Sequence, residues 1–141
     1  MKAIVLAIIF FAGSVASAAT LGSIDDARKL VTSTMAKVNA GDFRGGLELM
    51  KPYSVVPDAE MEVAIQQSVA QLPVISGRFG KSLGFEILKE QDAGPFLHRI
   101  IVLHRFEKHA LRWTFLFYRR GNAWFLNSFF FDDELANLFD P

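Results

Sequence analysis

Four runs of strand-forming residues, separated by turn signals, fill the chain from Ser82 to Phe131. The runs are rich in Val, Ile, Phe, Tyr and Trp, which favour strands. Short connections of this kind join antiparallel neighbours. The spacing therefore predicts a four-stranded antiparallel meander, with strands at 82–91, 96–107, 110–120 and 123–131 and turns at 92–95, 108–109 and 121–122.

The residues before the sheet have the apolar spacing of helices. Ser23, followed by two aspartates, predicts the start of a first helix that ends at 39–41. A second, short helix begins at Asp42 and ends before Pro52. A third opens at 57–58 and is kinked or ended by Pro73. After the last strand, a short helix is expected to bury Leu135, Leu138 and Phe139.

The predicted fold class is therefore α+β, with N-terminal helices packed on a curved four-stranded antiparallel sheet and a short C-terminal helix. Two-residue hairpins fix the pairing of strands, and alternate side chains point to opposite faces. The face predicted to meet the helices carries Leu83, Phe85, Ile87, His98, Ile100, Val102, His104, Trp113, Phe115, Phe117, Arg119, Trp124, Leu126, Ser128 and Phe130. The back of the sheet is predicted to carry Glu86, Leu88, Glu90, Arg99, Ile101, Leu103, Arg105, Glu107, Arg112, Leu116, Tyr118, Phe125, Phe129 and Phe131.

Residues 1–18 have the pattern of a secretory signal peptide. Lys2 precedes an apolar run from Ala3 to Ala12, and the segment ends in Ala-Ser-Ala. The run is shorter than the roughly 20 residues of a membrane-spanning helix, so no stable membrane span is expected after cleavage. An uncleaved N-terminal anchor is the alternative. The prediction is a periplasmic or secreted protein whose residues 19–141 form a single domain.

The charge of the chain gives no general sign of nucleic-acid binding. Without residues 1–18 the chain has 14 basic and 15 acidic residues, and no cysteine for a disulfide. The distribution is uneven, because the segment from Leu97 to Gly121 has six basic residues and only Glu107 as an acid. Within it, the row Arg99, Arg105 and Arg112 is predicted either to bind an acidic partner or to form ion pairs with Glu86, Glu107 and the Asp132-Asp133 pair.

Two stretches resemble the nuclear transport factor 2-like superfamily, also called SnoaL-like or cystatin-like. In NAGDFRGGLELM (39–50) a first helix ends in Ala-Gly-Asp before a short second helix, and GNAWFLNSFFFDD (121–133) is a Gly-x-x-Trp hairpin leading into the last strand. The resemblance implies a sheet wrapped around helices, with a cone-shaped pocket between them. It also implies a choice of functions, because the family includes isomerases, dehydratases, epoxide hydrolases and non-catalytic binding or dimerisation modules.

The predicted inner face offers two candidate sites for a ligand. His104, with Trp113 opposite it and Ser128 nearby, would supply polar groups in an apolar cavity for a small apolar ligand. His98, Arg119 and Trp124 at the end of the sheet would hold an anionic ligand. The alternatives are a core histidine bonded to backbone or water, and a solvated rim with Arg119 stacked on Trp124.

Catalysis has less support in the sequence. Proton transfer needs an acid or base within hydrogen-bond reach of the substrate, and no Asp or Glu is predicted on the inner face of any strand. Asp58 or Glu62 could reach inward from a helix, so a lyase or isomerase acting through His104 stays as the alternative. His98 and His104 are about 20 Å apart along one strand, and no metal site or cofactor is predicted.

The apolar centre of the back of the sheet is the predicted contact surface. Leu116, Tyr118, Phe125 and Phe129 are too apolar for an idle surface. A homodimer or a contact with another protein through these residues is expected. The sequence therefore favours an exported, non-catalytic binding or protein-interaction module.

Overall fold

The computed structural model describes residues 19–139. The predicted signal peptide, residues 1–18, lies outside the described residues. Within them, no helix is both long enough and apolar enough to cross a membrane.

The first helix, α1, spans Ile24–Asn39 and begins where the sequence predicts. The Ser23 hydroxyl accepts a hydrogen bond from the Asp26 backbone N–H at 3.1 Å, which satisfies one of the free donors of the first turn. The apolar stripe of α1 is buried and supplies one side of the core: Ala27, Leu30, Val31, Met35 and Val38.

Two further helices complete the helical layer. The α2 helix spans Phe43–Glu48 and is capped by Asp42, whose carboxylate accepts from the Gly45 N–H. A single 3-10 turn at Lys51–Tyr53 leads to α3, Asp58–Phe79. This helix continues through Pro73, so the prediction that Pro73 could end it is wrong. It stops at Gly80, whose φ of 90° is unfavourable for residues with a side chain.

The sheet is an open antiparallel meander in the order β1-β2-β3-β4. Its strands are Ser82–Ala93, Leu97–Phe106, Ala110–Arg120 and Ala123–Asp132. The predicted fold class is confirmed, with one difference at the C-terminus. There a 3-10 turn at Leu135–Leu138 replaces the expected helix, and Phe139 is 89% exposed rather than buried.

The β2–β3 hairpin turns one residue earlier than predicted. The Phe106 N–H donates to the His109 carbonyl at 2.9 Å, which leaves residues 107–108 as the loop. His104 therefore pairs with Leu111, and Trp113 pairs with Val102. The predicted pairing of His104 with Trp113 is wrong, although the shift is by two residues and leaves both side chains on the inner face.

Irregularities in β1 move its side chains between faces. The register shifts between Ile87 and Lys89, so that Glu90 lies opposite the buried Ile100. The prediction that Glu90 points to the back is therefore wrong, because the extra residue of a bulge reverses the alternation after it. A second irregularity between residues 82 and 84 accompanies Leu83, which is 55% exposed instead of facing the core.

A bulge in β4 has the same effect. Phe117 pairs with Leu126 as predicted, but Leu116 then pairs with Ser128, which leaves Asn127 unopposed. The aromatic side chains beyond the bulge exchange faces: Phe129 and Phe131 pack against the core, whereas Phe130 is 50% exposed. The predictions that Ser128 and Phe130 face the helices, and that Phe129 and Phe131 lie on the back, are wrong.

The outer edge of β4 is paired by two short segments that the sequence did not indicate. Leu21 exchanges two backbone hydrogen bonds with Trp124, at 3.0 and 2.8 Å. The Val55 N–H donates to the Leu126 carbonyl at 3.0 Å. The N-terminal half of β4 is therefore not a free edge, whereas β1 forms the opposite edge of the sheet.

Candidate functional site

The predicted pocket around His104 is filled. His104 and Trp113 both have 0% of their surface accessible. A side chain without accessible surface has no water-sized space beside it, so neither residue can contact a ligand in this conformation. The helices and the inner face form one continuous core around them, which includes Met35, Ile65 and Phe115.

The surroundings of His104 also limit its chemistry. Its Nε2 shares a hydrogen bond of 3.0 Å with the Ser82 hydroxyl, and its ring lies 4.3 Å from the ring of Phe106. Its Nδ1 is buried without a hydrogen-bond partner among the described residues. Burial lowers the pKa of His104 to about 4, because the charged imidazolium would lose its hydration. The ring is therefore neutral at pH 7, and no carboxylate among residues 19–139 forms a hydrogen bond with it.

Trp113 occupies the centre of the aromatic core. Its ring lies 4.6 Å from that of Phe131, which the β4 bulge brings inward, and 6.1 Å from that of Phe115. The indole N–H has no hydrogen-bond partner among the described residues. Trp113 is therefore a packing residue, and Ser128, on the other face of the sheet, does not join it and His104 in a site.

The second predicted group, at the end of the sheet, is assembled. The rings of His98 and Trp124 meet edge to face at 6.2 Å, and the Arg119 guanidinium lies 5.8 Å from the Trp124 ring. His98 pairs with Phe117 rather than with Arg119. Instead, the Arg119 backbone N–H donates to the Phe96 carbonyl, and its guanidinium also lies 5.4 Å from the Phe96 ring.

Two carboxylates join His98, and the sequence analysis missed both. Glu90 lies 2.9 Å from Nε2 and Asp92 lies 2.7 Å from Nδ1. Both are on the inner side because of the β1 bulge, which period-two alternation cannot anticipate. The sequence signal available was weak, since acidic residues at 90 and 92 fit an exposed strand equally well.

Glu90 also binds α1. Arg28 donates from Nε and Nη2 to the two Glu90 oxygens at 2.8 and 3.0 Å, and also contacts Asp25. The bidentate bond from Arg28 lowers the pKa of Glu90, and the bond from His98 adds to this. The hydrogen bonds that link Arg28, Glu90 and His98 thus connect α1 to β1 and β2.

This arrangement favours a structural role over proton transfer. Both ring nitrogens of His98 already contact carboxylates, Nε2 with Glu90 and Nδ1 with Asp92, so neither is free to contact a substrate. No group of three or more His, Cys, Asp or Glu residues suited to a metal ion occurs among residues 19–139.

Two surface depressions lie on the back of the sheet, while others of similar or larger volume lie beside the helices, including one of about 600 Å³ between α1 and the 3-10 turn and one of about 630 Å³ near Asn39 and Gly80. A groove of about 530 Å³ is lined by Gln91, Asp92, Ala93, Leu97, Arg99 and Leu116. A smaller pocket of about 160 Å³ is lined by Ser54, Val55, Tyr118, Arg120 and Phe125. Both include residues from the end of the sheet where β1 turns into β2 and β3 into β4.

Three of the four predicted contact residues share this surface. Tyr118 is 41% exposed, Leu116 is half-buried, and Phe125 is already covered, with the Arg120 guanidinium 5.1 Å from its ring. Phe129, the fourth, faces the core. The surface therefore lacks one of the four predicted residues, and it is basic as well as apolar.

Comparison with known proteins assigns no function to this chain. No family model matches the chain, and no curated protein matches it. A solved structure described as an NTF2-like transpeptidase from Campylobacter jejuni is similar, with a TM-score of 0.46 and 19% identity over 66% of this chain and 94% of that chain.

Three helices followed by an open antiparallel meander agree with the α+β architecture that the resemblance in the sequence implies. A fold of this class is compatible with enzymes and with binding modules, so function has to be argued from the residues of this chain.

Proposed function

We propose that this protein is an exported, non-catalytic protein-interaction module that binds its partner through the back of the sheet. The observation that carries the proposal is the contrast between the two faces. The inner face is packed without space for a ligand, whereas the back combines an open groove with exposed Tyr118 and half-buried Leu97 and Leu116. Apolar side chains that line a groove with polar surroundings are typical of interaction sites.

The alternative of a lyase or isomerase is disfavoured by the same burial. Substrate could reach His104 only after Ser82 and the surrounding core moved, and a neutral imidazole with a pKa of about 4 is a weak base at pH 7. The predicted small apolar ligand also has no space beside His104 or Trp113.

Site-specific photo-crosslinking in cells tests the proposal. A benzoylphenylalanine at position 118 is expected to give one discrete adduct, which the second substitution Leu116→Lys removes. The matched control places the same group at Val63. This residue is 53% exposed on α3, in the helical layer that covers the other face of the sheet. An adduct at twice the mass of the chain would identify the predicted homodimer. The same pattern of adducts from positions 118 and 63 would refute the proposed surface.

A further inference from the structure

Three arginines at this end of the sheet form no ion pair with a carboxylate among residues 19–139. Among the described residues, Arg112 forms a 2.7 Å ion pair with Asp132, but no ion pair is made by Arg99, Arg119 or Arg120. Arg99 donates to the neutral side chain of Gln91. Arg119 and Arg120 have aromatic rings beside them instead of acids.

The aromatic contacts leave the donors of these arginines available. A guanidinium over a ring uses its flat face, while its five N–H groups point outward in its own plane. The Nε of Arg119 is buried without any hydrogen-bond partner among residues 19–139. Arg99 and Arg120 are exposed. The only acid in the lining of either depression is Asp92, and its carboxylate is bound to His98 at 2.7 Å.

The two exposed arginines flank the apolar part of the surface. Arg99 lies opposite Leu116, and Arg120 is four residues farther along β3. Four strand residues span about 13 Å, and one strand spacing adds about 5 Å sideways, so the two Cα atoms are about 14 Å apart. The row of Leu97 and Tyr118 lies between them.

From this arrangement we infer that the partner presents an extended acidic segment with an apolar residue at its centre. Two carboxylates four residues apart in an extended chain are also about 13 Å apart, which matches Arg99 and Arg120. The apolar residue between them would lie on Leu97 and Tyr118. This inference rests on the proposed interaction surface and specifies the chemistry of its partner.

The charges also indicate whether the partner on this surface is a second copy of the chain or a different protein. A two-fold contact would place the same surface on itself. Arg99 and Arg120 of one copy would then meet the same arginines of the other, without carboxylates to compensate them. Like charges brought together in this way oppose association, so an acidic segment of another protein fits better.

Fluorescence anisotropy with synthetic peptides tests the inference. The probe is a fluorescein-labelled Ser-Glu-Ser-Leu-Ser-Glu-Ser peptide, and its control has Gln in place of both Glu residues. The purified protein is expected to bind the Glu peptide about a hundredfold more tightly, because each of the two charge-assisted pairs is worth about tenfold. Arg99→Gln and Arg120→Gln, which each remove one pair, should each lower the affinity about tenfold. Arg105→Gln, an exposed arginine at the other end of the same face, should change the affinity by less than about threefold.

The outcomes separate this inference from the proposed function. If both peptides bind equally and Leu116→Lys abolishes both, the docking surface stands and the acidic partner is refuted. If neither binds at about 1 mM, or if Arg105→Gln weakens binding as much as Arg120→Gln, the inference is also overturned. The crosslinking experiment then tests the proposed interaction surface independently of the peptides. Unchanged urea midpoints show that each variant is folded.

Discussion

Replacing His104 by glutamine should remove most of the pH dependence of stability in mildly acidic solution. In the unfolded chain His104 binds a proton below about pH 6.5, whereas burial lowers its pKa to about 4 in the folded protein. Between these values the unfolded state binds more protons, so the free energy of unfolding falls as the pH falls. The loss is fully developed below pH 4.

The magnitude follows from the two pKa values. Each unit corresponds to about 1.4 kcal/mol, so the full loss is about 3 kcal/mol. Between pH 7.5 and 5.5, where most carboxylates stay ionised, the linkage gives about 1.3 kcal/mol. A urea dependence of about 1–3 kcal/mol per molar turns this into a midpoint shift on the order of 0.5–1 M.

Urea unfolding at the two pH values, followed by the fluorescence of the buried Trp113 and Trp124, measures the effect. His104→Gln keeps a group that can bond Ser82, and its midpoint should move with pH by about 0.5–1 M less than that of the unmodified protein. His109→Gln is the matched control for the loss of a histidine, because that ring is partly exposed rather than buried. Equal shifts in the unmodified protein and His104→Gln would show that burial of His104 does not carry the pH dependence.

Three further predictions concern other parts of the chain. Trp113→Ala should lower the free energy of unfolding by about 3–5 kcal/mol, because it leaves a cavity in the core. Arg105→Ala should change it by less than about 0.5 kcal/mol. Similar urea midpoints for the two variants would contradict the assignment of their side chains to opposite faces of the sheet. Glu90→Gln should lower thermal stability more than Asp92→Asn, since only Glu90 also holds Arg28, and calorimetry giving the reverse order would argue against this. Mass spectrometry of the exported protein should find Ala19 as its first residue, and an intact Met1 would exclude cleavage.

The order of elements was predictable because strong local signals mark their ends. Ser23 and Asp42 cap helices as their side chains allow, and Gly121, with a φ of 61°, forms the turn between β3 and β4 where expected. These features depend on a few adjacent residues. Short-range chemistry therefore gave the strand boundaries to within a few residues.

The face to which each strand residue points was less predictable, because it depends on the alternation of every residue before it in the strand. The bulges at Leu88 and Asn127 have no glycine to indicate them, and each reverses the alternation of all later residues in its strand. These two irregularities account for the misplacement of Glu90, Ser128 and Phe129. His98, Arg119 and Trp124 lie together at the end of the sheet as expected, but the two acidic neighbours of His98 could not be placed without the bulge.

The bulge at Leu88 also affects whether the exposed edge of the sheet can pair with another chain. The β1 strand is twelve residues long and forms an edge of the sheet, so its outer N–H and C=O groups are a template on which another chain could extend the sheet. Two register irregularities divide this template into short stretches, and Gly84, with a φ of 149°, departs from regular strand geometry in between. A chain without disulfides passes through partly open states more easily than a cross-linked one. In this chain the irregularities of β1 therefore oppose the addition of further strands, and so fibril growth, at this edge.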